Sequence, residues 1–229
     1  MSRKQQSVVC LDPIDRTRKK QDSVFGRLLK TRPHGGNPVK KTAEIGHYLF
    51  CGKQRQGKTV SMLWYAEVLQ SKWERKGCKV KFYSNMDIGE PITKMNFLST
   101  MQSIEYDPKV VHIFMVDEIQ GYFPKDTKDK FTLSLIDGLT QTLSQIGKRQ
   151  IYLLSTAQVY GRLHKSLREQ CLYMVHCRRS RINNKVVNDF IDGDDILCDD
   201  LGRWSGIPKV IHTHGLPKAQ FDTHRMITE

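Results

Sequence analysis

The octet Gly52-Lys53-Gln54-Arg55-Gln56-Gly57-Lys58-Thr59 matches the phosphate-binding pattern G-x-x-x-x-G-K-[ST] at every position. The residues before it predict a buried strand over 48–51, and those after it predict an amphipathic helix over 57–75. A strand, a glycine-rich loop and a helix in this order direct backbone N–H groups and the positive end of the helix dipole at one anion. Lys58 would bring a charge to the β- and γ-phosphates, and Thr59 would offer a hydroxyl to Mg²⁺. The sequence therefore predicts a nucleotide-binding site formed by the octet and Val60.

An acidic pair ends the most apolar segment of the chain. Val110–Val116 predicts a strand that is buried on both faces, and Asp117 and Glu118 follow it directly. An aspartate at this point can reach Mg²⁺ through water, and a neighbouring glutamate can polarise an attacking water as a general base. Acid pairs also follow strands as plain surface turns. Next to an intact octet, however, this pair predicts nucleotide hydrolysis, with Asp117 as a metal-binding residue and Glu118 as a catalytic one.

Polar side chains also end the strand predicted over residues 151–154, which continues as Ser155-Thr156-Ala157-Gln158. Beside the acidic pair, a polar side chain at this tip could sense the γ-phosphate or hold the attacking water. Gln158 is the first candidate for this catalytic role, and Thr156 is the second. The alternative is a strand-terminal turn whose polar groups are satisfied locally.

Six arginines lie around and after this strand: Arg149, Arg162, Arg168, Arg178, Arg179 and Arg181. A ring-forming ATPase needs a positive group that enters a neighbour's active site and stabilises transition-state charge, and arginine suits this role because it stays ionised. Arg178 and Arg179 are predicted to leave a strand near the edge of the sheet, so they are the candidates for catalysis across a subunit boundary. The spacing alone does not identify which arginine serves.

Short apolar runs alternate with longer amphipathic segments from residue 46 onward. Strands that alternate with helices predict an α/β fold with a mostly parallel sheet and helices on both faces. Residues 1–43 predict a basic N-terminal arm, either a solvated tail or an arm that contacts nucleic acid or a neighbouring subunit. Residues 44–190 predict the core. Residues 191–229 show no helical stripe and predict a C-terminal extension.

The charge balance is strongly basic, with 37 Lys and Arg against 24 Asp and Glu and a formal net charge of +13. A positive field of this size favours polyanionic partners, either nucleic acid or an anionic membrane surface. The longest apolar runs are far shorter than the ~20 residues that a membrane helix needs, so no membrane span is expected. The six cysteines include no C-x-x-C pair, which favours free thiols in a reducing cytoplasm over a zinc site. His212-Thr213-His214 is interpreted as polar surface rather than as a metal-binding pair.

The motifs occur in an order that resembles a known group of proteins. GKQRQGKT, then VVHIFMVDEIQ, then GKRQIYLLSTAQ followed by a basic segment resemble the FtsK–HerA superfamily of hexameric, DNA-pumping P-loop ATPases. Within that superfamily, the short chain is most similar to the genome-packaging ATPases of tailless, membrane-containing viruses with double-jelly-roll capsids. The resemblance covers about residues 45–180, and the acidic pair and the strand-end glutamine are its most specific parts.

This resemblance implies a RecA-like (ASCE) P-loop NTPase fold. It matches Lys58 and Thr59 to the Walker A pair, Asp117 and Glu118 to the Walker B pair, and Gln158 to the strand-end glutamine of the superfamily. It implies ATP and Mg²⁺ as cofactors, and it implies that the protein pumps double-stranded DNA as a ring-shaped homo-oligomer, a hexamer. A capsid vertex or portal protein would be a further partner. The expected location is the host cytoplasm or the packaging vertex of the virion.

Other functions remain open at this point. The Asp-Glu-x-Gln…Phe-Pro run at residues 117–124 also resembles the Zot-like ATPases of filamentous-phage assembly. Those usually carry a membrane segment after the ATPase domain, and the lack of one here favours packaging. A nucleotide or nucleoside kinase is an alternative of a different class, but it has less need for the acidic pair and the basic charge. A non-catalytic scaffold is the third, and the intact Walker residues argue against it.

Overall fold

The computed structural model describes residues 43–180, 185–199 and 201–215. The predicted basic N-terminal arm, apart from Ala43, lies outside these ranges, as do Arg181 and residues 216–229. The predictions made for those segments therefore stay predictions.

A single eight-stranded sheet forms the centre of the described chain. Its strands are β1 (His47–Cys51), β2 (Lys79–Ser84), β3 (Glu90–Pro91), β4 (Val110–Val116), β5 (Ile151–Ala157), β6 (Cys171–Arg179), β7 (Lys185–Asp192) and β10 (Val210–Gly215). Between β7 and β10, the chain forms a separate small hairpin of β8 (Leu197–Cys198) and β9 (Trp204–Ser205). The order across the sheet is β10-β7-β6-β1-β5-β4-β2-β3. Neighbouring strands from β6 to β3 are parallel, whereas β7 is antiparallel to β6 and β10 is antiparallel to β7. The predicted α/β fold with a mostly parallel sheet is confirmed.

The position of β5 identifies the type of P-loop fold. β5 lies between β1, which precedes the glycine-rich loop, and β4, which precedes the acidic pair. This inserted strand is the arrangement of the RecA-like P-loop NTPases. Because parallel strands end at the same edge of the sheet, the octet, the acidic pair and the polar tip of β5 all emerge together.

Helices cover both faces of the sheet. They are α1 (Lys58–Glu74), α2 (Phe97–Gln102), α3 (Lys130–Leu143) and α4 (Lys165–Arg168). Side chains alternate along each strand, so Tyr48 and Phe50 pack with α1 on one face, whereas Leu49 packs with α3 on the other. This double coverage explains why β1, β4 and β5 are continuous apolar runs. Among the described helices, none combines the length and the apolar character needed to cross a bilayer.

Two details of the predicted fold are wrong. The strand that carries Arg178 and Arg179 is not near the sheet edge, because β7 and β10 both lie outside β6. The boundary predicted between residues 190 and 191 falls inside β7, and residues 210–215 of the predicted extension form β10 of the main sheet. These strands join by antiparallel pairing without intervening helices, so the alternation of strands and helices no longer marks the core in this part of the chain.

Candidate functional site

The loop between β1 and α1 packs so closely on the sheet that its two octet glycines have no room for a side chain. Gly57 has a φ of 88° directly before α1, and a Cβ there would lie 2.7 Å from Cγ2 of Val186 on β7. A Cβ on Gly52 would lie 2.7 Å from the carbonyl oxygen of Cys177 on β6. A larger residue at either position would push the loop away from the sheet.

Lys58 and Thr59 are the first residues of α1, a helix of 17 residues. The Lys58 side chain is buried, and its Nζ donates to the carbonyl oxygen of Lys53 at 3.4 Å, so the ammonium lies within the loop. Gly57 provides no side-chain cap for the helix. The first backbone N–H groups of an α-helix lack partners within the helix and carry the positive end of its dipole. A lysine charge and an uncapped helix N-terminus therefore converge here, and together they suit a phosphate group.

Asp117 connects the loop with the tips of β4 and β5. Its Oδ1 accepts a hydrogen bond of 3.0 Å from Oγ1 of Thr59 and one of 2.6 Å from Oγ1 of Thr156. Its backbone is clamped by Asn85, which follows β2: Nδ2 of Asn85 donates to the Asp117 carbonyl at 3.0 Å, and Oδ1 of Asn85 accepts from the Asp117 N–H at 2.8 Å. The carboxylate is thus fixed beside the first turn of α1.

Glu118 adopts a left-handed backbone conformation, with a φ of 54°, which is unusual for a residue other than glycine. Its N–H donates to Oγ1 of Thr156 at 2.9 Å. Its carboxylate accepts from Nε2 of Gln158 at 3.4 Å and also from Nε2 of Gln120. The backbone conformation and the two amide donors direct the Glu118 carboxylate toward the tip of β5, where Gln158 is also found.

The donor set of this site fits Mg²⁺. Magnesium usually keeps several waters and binds one or two carboxylates together with phosphate oxygens of the substrate. The described part of the chain contains no group of three or more His, Cys, Asp or Glu residues that could hold a metal without a nucleotide. The Thr59 hydroxyl and the Asp117 carboxylate, which touch each other, are the protein groups that would hold the ion beside a bound nucleotide.

The two arginines predicted to act across a subunit boundary both make contacts within their own chain. The guanidinium of Arg178 forms two hydrogen bonds, of 2.9 and 3.0 Å, with the carboxylate of Asp189 on β7. The backbone N–H of Arg179 donates to Oε1 of Gln56 in the octet at 2.8 Å. Both side chains are exposed. Their role across a boundary stays a prediction.

Three further arginines of the six candidates are described, and they occupy different places. Arg149 donates to the carbonyl oxygen of Gln102 at 3.0 Å. Arg168 lies over the ring of Tyr160 and contacts the sulfur of Cys198. Arg162 is exposed in the short turn that follows β5. Of these three, Arg162 lies just after the strand whose tip contributes to the site.

The histidines and thiols near the loop do not form a surface site. His212 and His214 were expected at the polar surface, but both are buried against Trp64 of α1, so this interpretation is wrong. Burial raises the pKa of Cys177 to about 12 and raises the pKa of Cys51 well above its usual value. These thiols stay protonated at neutral pH and behave as small apolar side chains.

Sequence reasoning overlooked Asn85 and Gln120 and gave Thr156 only a secondary place. Asn85 directly follows β2, so the rule that polar residues after parallel strands converge at one edge of the sheet also points to Asn85. Gln120 is the glutamine of the Asp-Glu-x-Gln run, which indicated a resemblance but no role for this residue in the site. The bridging position of Thr156 depends on the register between β4 and β5, in which Val116 is paired with Ser155.

No protein-family model matches the chain, and no curated protein matches its sequence. Similar solved structures include the N-terminal domain of zonular occludens toxin from Neisseria meningitidis, at 16% identity, a TM-score of 0.48, and coverage of 76% of this chain and 96% of that chain. They also include the genome packaging NTPase B204 from Sulfolobus turreted icosahedral virus 2 in complex with AMP, at 10% identity, a TM-score of 0.45, and coverage of 73% and 96%. A third is C. elegans PCH-2, at 15% identity, a TM-score of 0.44, and coverage of 69% and 41%. Both groups that the sequence motifs resemble, the Zot-like and the packaging ATPases, thus occur among these structures.

Proposed function

We propose that this protein binds ATP with Mg²⁺ in the loop of residues 52–60 and hydrolyses it to move double-stranded DNA. One observation carries the hydrolytic part of the proposal. Thr59 from the loop and Thr156 from β5 both donate to the same oxygen of Asp117, so the loop and the acidic pair belong to one site. A plain surface turn would not place a buried aspartate between two hydroxyls from distant parts of the chain.

In the proposed reaction, the N–H groups of the loop and the Lys58 ammonium hold the β- and γ-phosphates and stabilise the charge on the transferring phosphoryl group. Thr59 and Asp117 would hold Mg²⁺, which would supply further neutralisation of the phosphate charge. Glu118 accepts a proton from the water that attacks the γ-phosphorus, and the bond from that phosphorus to the bridging oxygen breaks. Gln158, which contacts the Glu118 carboxylate, orients the attacking water.

The amide contacts of Glu118 suit a general base. Gln158 and Gln120 each donate to one of its two carboxylate oxygens, so the side chain is restrained from two sides. Each carboxylate oxygen has a second lone pair that can accept a hydrogen bond from water. The base can therefore receive a proton without first being repositioned.

The net charge of the protein supports the proposal that it moves DNA. A formal net charge of +13 favours a polyanion, and backbone contacts by Lys and Arg give binding that is independent of sequence. In this proposal the protein assembles into a ring of identical subunits, a hexamer, around the duplex. Arg178 and Arg179 complete the active site of the neighbouring subunit. A viral capsid vertex or portal protein is the partner that receives the DNA, in the host cytoplasm or at the virion vertex.

The proposal is tested by measuring ATP hydrolysis with and without long duplex DNA. We expect hydrolysis that DNA stimulates, and we expect Glu118→Gln to bind ATP but to hydrolyse it at least ~100-fold more slowly. Glu105→Gln, at an exposed site, is the matched control and should retain full activity. If DNA does not change the rate of hydrolysis, the proposed movement of DNA is overturned and the proposed ATP hydrolysis stands. Phosphate transfer to a nucleoside would indicate a kinase, and the absence of turnover would indicate a non-catalytic protein.

A further inference from the structure

The glycine-rich loop is supported from the side opposite the acidic pair by the last strands of the sheet. β1 has β5 and the acidic strand β4 on one side, and β6, β7 and β10 on the other. From this second side, β6 donates the N–H of Arg179 to Gln56, and β7 packs Val186 against Gly57. The loop therefore lies between the part of the sheet that carries the acidic pair and Gln158 and the part formed by β6, β7 and β10, which carries neither.

A buried hydrogen bond joins β7 to the first turn of α1. Oγ of Ser61 donates to Oδ1 of Asn188 at 2.8 Å, and neither residue has any exposed surface. The N–H of Ser61 donates to the carbonyl oxygen of Gly57 at 2.8 Å, which closes the helical turn that contains Lys58 and Thr59. A contact at Ser61 therefore acts directly on the turn that carries the phosphate-binding lysine.

β10 adds a second contact to the same hydroxyl. Nε2 of His214 lies 3.0 Å from Oγ of Ser61, and the imidazole stacks on Trp64 with ring centroids 4.7 Å apart. Nδ1 of His214 lies 3.0 Å from the carbonyl oxygen of Gly215, which can only accept, so Nδ1 carries the proton of the neutral imidazole and Nε2 is an acceptor. The hydroxyl proton of Ser61 therefore faces two acceptors, Oδ1 of Asn188 and Nε2 of His214. The hydroxyl is thus held by β7 and β10 together.

The hydrogen-bonding state of the Asn188 amide indicates that the role of this residue is to bind Ser61. No hydrogen-bond partner for Nδ2 of Asn188 is found among residues 43–180, 185–199 and 201–215. Burial of an unpaired amide nitrogen costs free energy, and an apolar side chain in the same place would avoid that cost. A fully buried asparagine with an unpaired donor therefore needs an explanation beyond packing.

We infer that Asn188 is a positioning residue that fixes the first turn of α1, and with it Lys58 and Thr59, through the hydroxyl of Ser61. This inference rests on the proposed function, because it concerns the same nucleotide site. It gives the antiparallel end of the sheet a role in nucleotide affinity. Loss of one hydrogen bond of ordinary net strength from the nucleotide-bound state lowers the affinity by about 3- to 10-fold.

The test measures the dissociation constant of a non-hydrolysable ATP analogue with Mg²⁺ for the full chain and four variants. We expect Asn188→Ala and Ser61→Ala each to raise this constant by about 3- to 10-fold. The double variant should be no weaker than the poorer single variant, because both changes remove the same contact. Val187→Ala is the matched control. It shortens the adjacent side chain of β7, on the opposite face of the sheet, and should leave the constant unchanged.

Thermal unfolding with and without saturating analogue separates positioning from simple stabilisation. Loss of a positioning contact reduces the stabilisation that the analogue gives, whereas a purely structural change lowers both unfolding temperatures equally. The inference is overturned, and the proposed function stands, if the wild type binds the analogue and Asn188→Ala binds it equally well. If the wild type itself does not bind the analogue, both are overturned. Should Asn188→Ala fail to fold, Ser61→Ala, which removes one oxygen atom, decides the question.

Discussion

Thr156 donates a hydrogen bond of 2.6 Å to Oδ1 of Asp117 on the neighbouring strand. The same hydroxyl oxygen accepts the backbone N–H of Glu118 at 2.9 Å, and Thr156 has no exposed surface. One side chain at the tip of β5 therefore fixes the carboxylate of one acidic residue and the backbone of the next. The left-handed conformation of Glu118 is held in part by this contact.

Replacement of Thr156 by valine keeps the shape of the side chain but removes the hydroxyl. We expect the rate of ATP hydrolysis to fall by about 10- to 100-fold, since misplacement of catalytic groups by about 1 Å has effects of this size. The affinity for ATP should change less, because the loop itself is untouched. Steady-state hydrolysis and nucleotide titration test this. Thr156→Ser retains the hydroxyl and is the control. A valine variant with wild-type turnover would show that the bridge has no part in catalysis.

Replacement of Lys58 by alanine removes the ammonium that lies within the loop. We expect ATP affinity to fall by about 10-fold or more, as is usual when a charge-assisted contact to an ionised group is lost. Equilibrium titration with ATP and Mg²⁺ measures this. Lys109→Ala, an exposed lysine before β4, is the control and should bind normally. Unchanged binding by Lys58→Ala would contradict the assignment of the octet as the phosphate site.

Arg178 and Arg179 are predicted to act on the neighbouring subunit. The double variant Arg178→Ala/Arg179→Ala should lose hydrolysis by ~10³-fold or more while ATP binding survives. Mixing it with Glu118→Gln should restore part of the activity, because interfaces that pair an intact Glu118 with intact arginines form again. The rate of hydrolysis by the mixture measures this.

The ion pair between Arg178 and Asp189 requires its own control. Asp189→Asn weakens this pair but keeps both arginines, so it should retain hydrolysis if the arginines act across the boundary. Mixed rings that form but stay inactive would exclude the two arginines. Arg162, exposed just after β5, would then be the next residue to replace.

Buried histidines predict a loss of stability in acid. Burial lowers the pKa of His47 to about 3 and the pKa values of His112, His212 and His214 to about 4, from the usual 6.5. The unfolded chain therefore binds more protons than the folded one as the pH falls from about 6.5 toward 4, and stability decreases through that window. Glu67, whose pKa burial raises from 4.5 to about 7, acts in the opposite direction but is a single group.

The free energy of unfolding, measured with denaturant at pH 7, 6 and 5, tests this expectation. Each net proton changes the free energy by about 1.4 kcal/mol per pH unit. A repeat at high salt is the control, because salt screens repulsion among surface charges but acts little on buried groups. Equal stability at pH 7 and pH 5 would contradict the prediction.

The sequence predicted the parallel part of the fold well because its signals are local. A run such as Val110–Val116 can only be a strand covered on both faces, and the octet requires a strand before it and a helix after it. The outer strands β7 and β10 were assigned to no sheet, because antiparallel addition leaves no alternating helix and their faces mix buried histidine, asparagine and aspartate with apolar residues.

Within the candidate site, residue types predicted which groups converge but not how they are connected. The acidic pair and Thr59 follow from motif spacing. The bond from Thr156 to Asp117 depends on strand register, and the bond from Ser61 to Asn188 depends on a strand that the motifs do not include. Contacts between residues that are distant in sequence, such as these, cannot be read from local patterns.

The central position of β1 sets the order in which the molecule can assemble. Its residue His47 is paired with Leu153 on one side and with Cys171 on the other, so the strand has no partner until most of the chain has been synthesised. Non-local pairing of this kind slows folding, since a long loop must close before any contact compensates for its lost entropy. The glycine-rich loop contacts β6 and β7, which both follow it at a long distance in the chain. We therefore expect a nascent chain to bind nucleotide only after these later strands have emerged from the ribosome.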